Sequence, residues 1–200
     1  MSENEVGKRE RIMEEACRLF ARKGFSATSI REITQAAKVT NPMIYYYFGS
    51  KEELFRAVIQ EAHLALVESM AEMEVEGRGF EEVLVDTVQL YFRLIRESPD
   101  TARLFLYLQY GPERLRFEET LRNIQDSSKA MWRGLLEAAV VRGSLAVIDL
   151  EVAILQIFGL IHMPMLMFLS GDNIALDDVT ARTLVTQLMD GLRARGEGGD

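Results

Sequence analysis

Apolar residues recur every three or four positions along most of this chain, which is the period of an amphipathic α-helix. In residues 8–23, for example, Ile12, Ala16 and Phe20 share one face while charged side chains cover the other. Glycines, prolines and capping residues divide the pattern into about nine predicted helices, the longest of them at 51–74, 80–97, 112–142, 150–170 and 178–195. No segment shows the strict alternation of a strand. The pattern therefore predicts an all-α protein.

Two short predicted helices follow the first one, and a tight turn joins them. Ser29 and Glu32 have the spacing of a capping box, so the second helix is predicted to begin at Ser29. After a turn at 38–39, Thr40 can cap the third helix, with Pro42 in the first turn, where a missing N–H is harmless. Two short helices joined in this way predict a helix-turn-helix.

These helices divide into an inward and an outward face. Apolar side chains at helical spacing are predicted to close a small core against the first helix: Ile30, Ile33, Ala37, Ile44, Tyr47 and Phe48. The remaining side chains of the third helix are then predicted to point outward: Asn41, Met43, Tyr45 and Tyr46.

The fourth predicted helix carries an apolar stripe from Phe55 to Met73 and begins directly after the helix-turn-helix. Because no linker separates the two, we expect this helix to belong to both halves of the protein. We predict a helix-turn-helix domain over residues 1–50 and a larger helical domain over residues 51–200, with the fourth helix shared.

The predicted eighth helix is apolar almost all round over residues 152–169. The run is marginal in length for a membrane span and has charged neighbours, so we interpret it as a covered helix and expect no membrane partner. A helix that is apolar on every side must be covered on every side, by its own core and by a second copy of the chain. We predict a homodimer through the eighth and ninth helices, the latter contributing Ala181, Leu184, Leu188 and Leu192.

Composition places the chain among folded proteins of a reducing compartment. Hydrophobic residues make up 48% of its 200 residues, which is ample for a packed core. The single cysteine suits the cytoplasm, and the charged N-terminus lacks the features of a secretory signal. The net charge of −8 would disfavour nucleic acid, but the acidic excess lies in residues 52–200, and residues 1–51 carry a small basic excess.

One stretch of the chain is similar to the DNA-binding domain of the TetR family of bacterial transcriptional repressors. The resemblance covers about residues 10–60 and rests on four motifs: Gly-Phe at 24–25, TSIREITQAAKVT at 28–40, IYYYF at 44–48 and SKEEL at 50–54. It departs at Pro42 and Met43, where the family often has a glycine followed by a hydroxyl residue. The resemblance implies an N-terminal three-helix DNA-binding domain and a C-terminal helical domain for ligand binding and dimerisation.

The chemistry of this stretch suits double-stranded DNA. Helix N-termini offer N–H groups and partial positive charge to phosphates, and hydroxyls or a lysine can add to them. We predict phosphate contacts from Thr28, Ser29, Thr40, Tyr45, Tyr46 and Lys51. Asn41 can pair with adenine, while Pro42 and Met43 can touch a thymine methyl. A dimer of such domains is expected to bind an inverted-repeat operator with half-sites about 34–36 Å apart.

Aromatic and methionine side chains concentrate in the predicted helices five to eight, and Pro164 is expected to kink the eighth helix. Such side chains line mostly apolar pockets, although they also fill ordinary cores. The predicted ligand-binding residues are Tyr91, Phe92, Phe105, Tyr110, Trp132, Phe158, His162 and Met165. The expected effector is an apolar or aromatic small molecule that releases the repressor from DNA.

Catalytic and metal sites find little support in the sequence. His63 and His162 are far apart, Cys17 has no second cysteine beside it, and no nucleotide-binding or nucleophile motif occurs. We therefore expect no enzyme activity, cofactor or metal. Two alternatives to a ligand-responsive repressor stay open: a DNA-binding factor controlled by a protein partner, and a helical carrier or enzyme with an incidental helix-turn-helix resemblance.

Overall fold

The computed structural model of the protein describes residues 3–75, 77–145 and 149–192. Over these ranges it contains nine α-helices and no strand, which confirms the predicted all-α class. The helices are α1 (Glu3–Lys23), α2 (Ile30–Ala37), α3 (Asn41–Phe48), α4 (Lys51–Ala71), α5 (Phe80–Glu97), α6 (Pro99–Tyr110), α7 (Glu118–Val141), α8 (Leu150–Ser170) and α9 (Asp178–Leu192).

The predicted capping box at Ser29 is present in the structure, whereas Thr40 occupies the N-cap position of α3 without a side-chain capping bond. The Ser29 hydroxyl accepts the Glu32 N–H at 3.2 Å, and the Glu32 carboxylate accepts the Ser29 N–H at 2.8 Å, which completes the capping box. Asp149 and Asp177 likewise accept N–H groups in the first turns of α8 and α9. These local signals could be located from the sequence because they depend only on near neighbours in the chain.

Some predicted helix boundaries were wrong. Helix α1 begins at Glu3 rather than at 8, and α4 ends at Ala71 rather than at 74. Helix α7 begins at Glu118 rather than at 112, because a 3₁₀ turn (Arg114–Phe117) precedes it and turns the Phe117 side chain inward. The predicted end of α9 at 195 lies outside the described residues.

The chain forms two compact units. The first comprises residues Met1–Ser69 and Ser98–Ile124, and the second comprises residues Met70–Glu97 and Gln125–Asp200. Helix α6 therefore belongs to the same compact unit as the helix-turn-helix. These units describe packing, whereas the predicted division at residue 50 describes function and stays a prediction.

An aromatic cluster lies at the centre of the first unit. The Phe55 ring lies 5.1 Å from Phe20, 5.3 Å from Phe25 and 4.3 Å from Phe117, measured between ring centroids. All four side chains are buried, and burial of each contributes on the order of 1.5–3 kcal/mol. The predicted inward face of the helix-turn-helix is confirmed: Ile33, Ala37, Ile44 and Phe48 are buried, and Ile30 and Tyr47 pack half-buried against this core.

In the second unit, α5 packs against both α8 and α9. The inward face of α9 carries Ala181, Val185 and Met189, all of them buried within the chain. The prediction that Ala181 belongs to a seam between subunits was therefore wrong, because its side chain is fully buried within a single chain. Leu184 and Leu188 are half-buried, and the side chain of Leu192 lies outside the described residues.

The opposite side of α8 is apolar and exposed. Leu155 is 69% exposed, and the other large exposed side chains on this helix are Val152, Met163, Leu166 and Met167. The helix is continuous from Leu150 to Ser170 and includes the buried Pro164. By length and composition alone it could cross a membrane, but a single helix of this kind is weak evidence for a span.

Candidate functional site

Helix α3 presents two large aromatic side chains to solvent. Ile44 and Phe48 anchor its inward face, and Tyr45 and Tyr46 on the other side are 55% and 72% exposed. The Tyr46 ring packs edge-on against Tyr47, with the centroids 5.0 Å apart. A short, firmly anchored helix thus holds two exposed phenol groups that have no role in the core.

The first residues of α3 offer further polar groups. Thr40 occupies the N-cap position and is exposed, but its hydroxyl makes no capping bond. Asn41 is exposed as well, and its side-chain carbonyl accepts the Thr34 hydroxyl at 2.8 Å. That bond fixes the Asn41 amide plane and leaves the amide NH₂ without a partner among the described residues. Pro42 is exposed, whereas Met43 is half-buried against the core.

The predicted phosphate contact of Thr28 was wrong. Thr28 is only 1% exposed, and its hydroxyl donates to the Gly24 carbonyl at 2.8 Å, with the Leu19 carbonyl 3.3 Å away. The side chain therefore satisfies carbonyl groups at the end of α1 and cannot reach a ligand in solvent. A hydroxyl just before a helix can point outward or donate to carbonyl groups at the end of the preceding helix. The sequence does not distinguish these two arrangements.

Lys51 is engaged inside the first unit. Its ammonium group donates to the main-chain carbonyls of Phe25 at 3.0 Å and Thr28 at 2.8 Å. It also lies 4.2 Å from the centroid of the Phe25 ring, within the range of a cation–π interaction. Lys51 thus ties the start of α4 to the loop that precedes α2.

The N-terminus of α2 is already occupied by a carboxylate. Ser29 is exposed, but its hydroxyl both accepts the Glu32 N–H and donates to the Glu32 carboxylate. Hydrogen bonds from Lys23 and Ser29 lower the pKa of Glu32 to about 2, so this carboxylate is ionised at neutral pH. A phosphate here would have to approach past a negative charge.

Two exposed cations of the helix-turn-helix were missed by the sequence reasoning. Arg31 lies in the first turn of α2, and Lys38 forms the turn before α3 with a positive φ of 53°. Neither side chain has an ion-pair partner among the described residues. The signal that could have found them is the basic charge itself, since cations on an exposed face supply most phosphate contacts.

Helix α6 is bonded directly to the loop between α1 and α2. The Phe25 N–H donates to the Tyr107 hydroxyl at 3.0 Å, and that hydroxyl donates in turn to Glu113. Gly24 has φ +80°, and a Cβ built there would lie 2.8 Å from the Tyr107 hydroxyl oxygen. The close approach requires glycine at this position.

The predicted ligand-binding residues fall in both compact units. Phe105 and Tyr110 belong to the first unit, and the second contains the other six, namely Tyr91, Phe92, Trp132, Phe158, His162 and Met165. Tyr110 is 71% exposed, which an enclosed pocket would not allow, so it is not retained as a candidate. The remaining residues are buried or half-buried.

Three of these side chains carry polar groups that burial affects. The indole N–H of Trp132 is buried and has no hydrogen-bond partner among the described residues. Burial raises the pKa of Tyr91 to about 12 and lowers that of His162. His162 Nδ1 lies 3.0 Å from the Phe158 carbonyl oxygen, one helical turn earlier.

A surface cleft of about 500 Å³ lies elsewhere in the second unit, at the C-terminal end of α8 and the start of α9. Its lining includes Arg96, Phe168, Leu176 and Val179, and none of the predicted ligand-binding residues. The part of the chain that the structure describes contains no group of three or more His, Cys, Asp or Glu side chains suited to a metal ion.

These features define a helix-turn-helix protein with an anchored, outward-facing third helix and a separate helical unit. A family profile described as "Bacterial regulatory proteins, tetR family" matches residues 12–58. The HTH-type transcriptional repressor NicS of Pseudomonas putida is 27% identical over 137 residues, which cover 68% of this chain and 64% of NicS. The repressor KstR2 of Rhodococcus jostii is 25% identical over 190 residues, 93% of this chain and 91% of KstR2.

A solved structure shares the fold. The structure of the regulator FadR from Bacillus subtilis in complex with stearoyl-CoA superposes with a TM-score of 0.80 at 21% identity, covering 92% of this chain and 99% of FadR. The chain is thus similar to transcriptional regulators of the TetR family, and the match to the family profile covers residues 12–58. Its match spans less than two thirds of NicS, so the activity and partners of that whole protein do not transfer directly.

Proposed function

We propose that this protein is a dimeric, cytoplasmic repressor that binds an inverted-repeat operator and is released when a mostly apolar small molecule binds its second unit. The observation that carries the DNA-binding part is the exposure of Tyr45 and Tyr46 on a helix whose other face is fully anchored. Exposed aromatic residues on a rigid helix are better suited to a partner than to water.

In this proposal the DNA contacts divide by chemistry. Thr40, Tyr45 and Tyr46 bind phosphates, together with Arg31 and Lys38, and these contacts set the register. The free Asn41 amide, Pro42 and the exposed edge of Met43 face the bases. Ser29 and Lys51 act through the fold: Ser29 caps α2, and Lys51 holds the loop before it.

The apolar outer face of α8 supports the proposed homodimer. Its exposed side chains Val152, Leu155, Met163 and Leu166 recur at helical spacing and form one continuous stripe. A contiguous apolar stripe of this size on a soluble protein indicates an interaction surface. A second copy supplies the matching stripe, since an interface with two-fold symmetry is self-complementary.

The buried aromatic set of the second unit supports an apolar effector. FadR, whose fold is similar, was solved with stearoyl-CoA, a molecule with a long apolar chain. The effector would bind better when the two DNA-binding domains are wrongly spaced for the operator, so that binding shifts the population away from the DNA-competent form.

Selection of genomic fragments on the immobilised protein, followed by mobility-shift titration at low salt, tests the proposal. We expect the selected fragments to share an inverted repeat, and their affinity to fall steeply with salt because phosphate contacts displace counterions. If no fragment is retarded at low salt, the protein is not a DNA-binding regulator of this kind.

A second titration tests the switch separately. Operator affinity is measured with and without the compounds that bind the protein, and release by at least one of them is expected. If every bound compound leaves the operator affinity unchanged, the small-molecule switch is wrong and control by a protein partner is favoured. Neither result would contradict the proposed DNA binding.

A further inference from the structure

Trp132 carries a buried polar group that has no hydrogen-bond partner among the described residues. The side chain is 0% exposed, on the buried face of α7 that also carries Leu136 and Ala139. Its indole N–H has no hydrogen-bond partner among the described residues. This is the one tryptophan of the chain.

An orphaned donor in this position requires an explanation. Buried tryptophan N–H groups usually have a partner, because leaving a donor unsatisfied away from water is unfavourable. The indole N–H can only donate, so its missing partner must be an acceptor. If this position served only to fill the core, phenylalanine would suit it better, because it fills similar space and carries no hydrogen-bond donor.

Two other predicted ligand-binding residues of the second unit carry polar groups that are electrically neutral. Burial lowers the pKa of His162, which keeps its imidazole uncharged near neutral pH, and the Tyr91 phenol stays protonated. His162 Nδ1 already has the Phe158 carbonyl oxygen as a partner.

We propose that the Trp132 indole N–H donates a hydrogen bond to a carbonyl-type oxygen of the effector. The effector is then an apolar molecule that carries such an oxygen, rather than a plain hydrocarbon. This inference rests on the proposed effector site in the second unit and adds its chemical class. Apolar pockets commonly use one or two such polar groups to fix a ligand's orientation.

The test uses two matched series of probes on the full-length protein. Alkyl phenyl ketones from acetophenone to decanophenone are compared with the alkylbenzenes that have CH₂ in place of the carbonyl. Because Trp132 is the only tryptophan, the protein gives a single indole N–H signal in a nitrogen–proton correlation spectrum. Binding constants are measured by calorimetry, so that they do not depend on the indole.

We expect at least one ketone to move the indole proton downfield and to bind about tenfold more tightly than its alkylbenzene, a difference of about 1.4 kcal/mol. In Trp132→Phe this preference should disappear, while affinity for the alkylbenzene, the internal control for folding and packing, changes little. The spectrum of the unsubstituted protein tests the contact even if the variant folds poorly.

The inference would be overturned by equal binding of ketones and alkylbenzenes, by a ketone preference that persists in Trp132→Phe, or by the absence of any ketone that binds or moves the indole signal. Release of operator DNA by alkylbenzenes alone would refute the carbonyl contact and keep the proposed function. A ketone that binds at Trp132 without releasing DNA would support the carbonyl contact and contradict the proposed release from the operator.

Discussion

Replacing Lys51 by methionine distinguishes a structural lysine from a phosphate-binding one. Methionine keeps most of the aliphatic stem and removes the ammonium group. The substitution eliminates hydrogen bonds to the carbonyls of Phe25 at 3.0 Å and Thr28 at 2.8 Å, and the cation–π contact with the Phe25 ring at 4.2 Å. Both carbonyls belong to the loop between α1 and α2, so the loss affects the loop that positions α2.

The magnitude follows from these contacts. A hydrogen bond to a charged group contributes about 1.5–3 kcal/mol, and a cation–π contact near the surface about 0.5–1 kcal/mol. Lys51 is half-exposed, so water replaces part of each interaction and the low end applies. We expect Lys51→Met to lower the free energy of unfolding by about 2–3 kcal/mol, which urea denaturation resolves as a lower midpoint at unchanged slope.

Lys129→Met is the matched control, because Lys129 is an exposed lysine on α7. Its side chain makes no hydrogen bond or ion pair with the described residues. It should change the free energy of unfolding by less than about 0.5 kcal/mol. A Lys51→Met protein as stable as the control would refute the structural role. In that case Lys51 would bind a phosphate. Lys51→Met should then reduce the slope of log operator affinity against log salt concentration by about one.

Three further predictions concern other contacts. Gly24→Ala should lower the free energy of unfolding by more than about 1 kcal/mol, because φ is +80° and the new Cβ meets the Tyr107 hydroxyl; the same change at the exposed Gly134 is the control, and equal effects would contradict this account. Glu32 has a pKa lowered from 4.5 to about 2, so its contribution is present above pH 4.5 and is lost as pH falls towards 2. The destabilisation of Glu32→Gln should therefore shrink over that window in urea titrations, and a constant difference would be unexpected. Leu155→Glu on the exposed stripe of α8 should convert a dimer to a monomer in sedimentation while the helix content stays native; an unchanged dimer would exclude this face.

The helix-turn-helix could be located from the sequence because its signals are local. The capping box at Ser29 and Glu32, the N-cap position of Thr40 and the buried spacing of Ile33 and Ile44 all depend on residues within a few positions of each other. Helical periodicity likewise assigned Tyr45 and Tyr46 to the outer face. Each of these features could be predicted without knowledge of long-range contacts.

The wrong predictions concern residues whose local sequence pattern is compatible with two different structures. Thr28 could turn its hydroxyl outward or back onto α1, and only the packed loop makes the second choice. Ala181 has the same apolar character in a core as in a dimer seam, and only the packing of the second unit shows that it is buried within one chain. The start of α7 was missed because Phe117 is drawn into a cluster formed by residues about 60 and 90 positions earlier, Phe55 and Phe25. Such long-range partners have no signature in a single sequence.

Operator affinity of two tyrosine variants tests the central claim most directly. Tyr46 on α3 and Tyr110 at the end of α6 are almost equally exposed, at 72% and 71%, so their replacement by alanine removes the same group from two different surfaces. If α3 binds DNA, Tyr46→Ala should weaken binding to a selected operator about tenfold or more, while Tyr110→Ala binds like the unsubstituted protein and both remain folded. Equal affinities of the two variants would contradict the assignment of α3 as the DNA-binding surface.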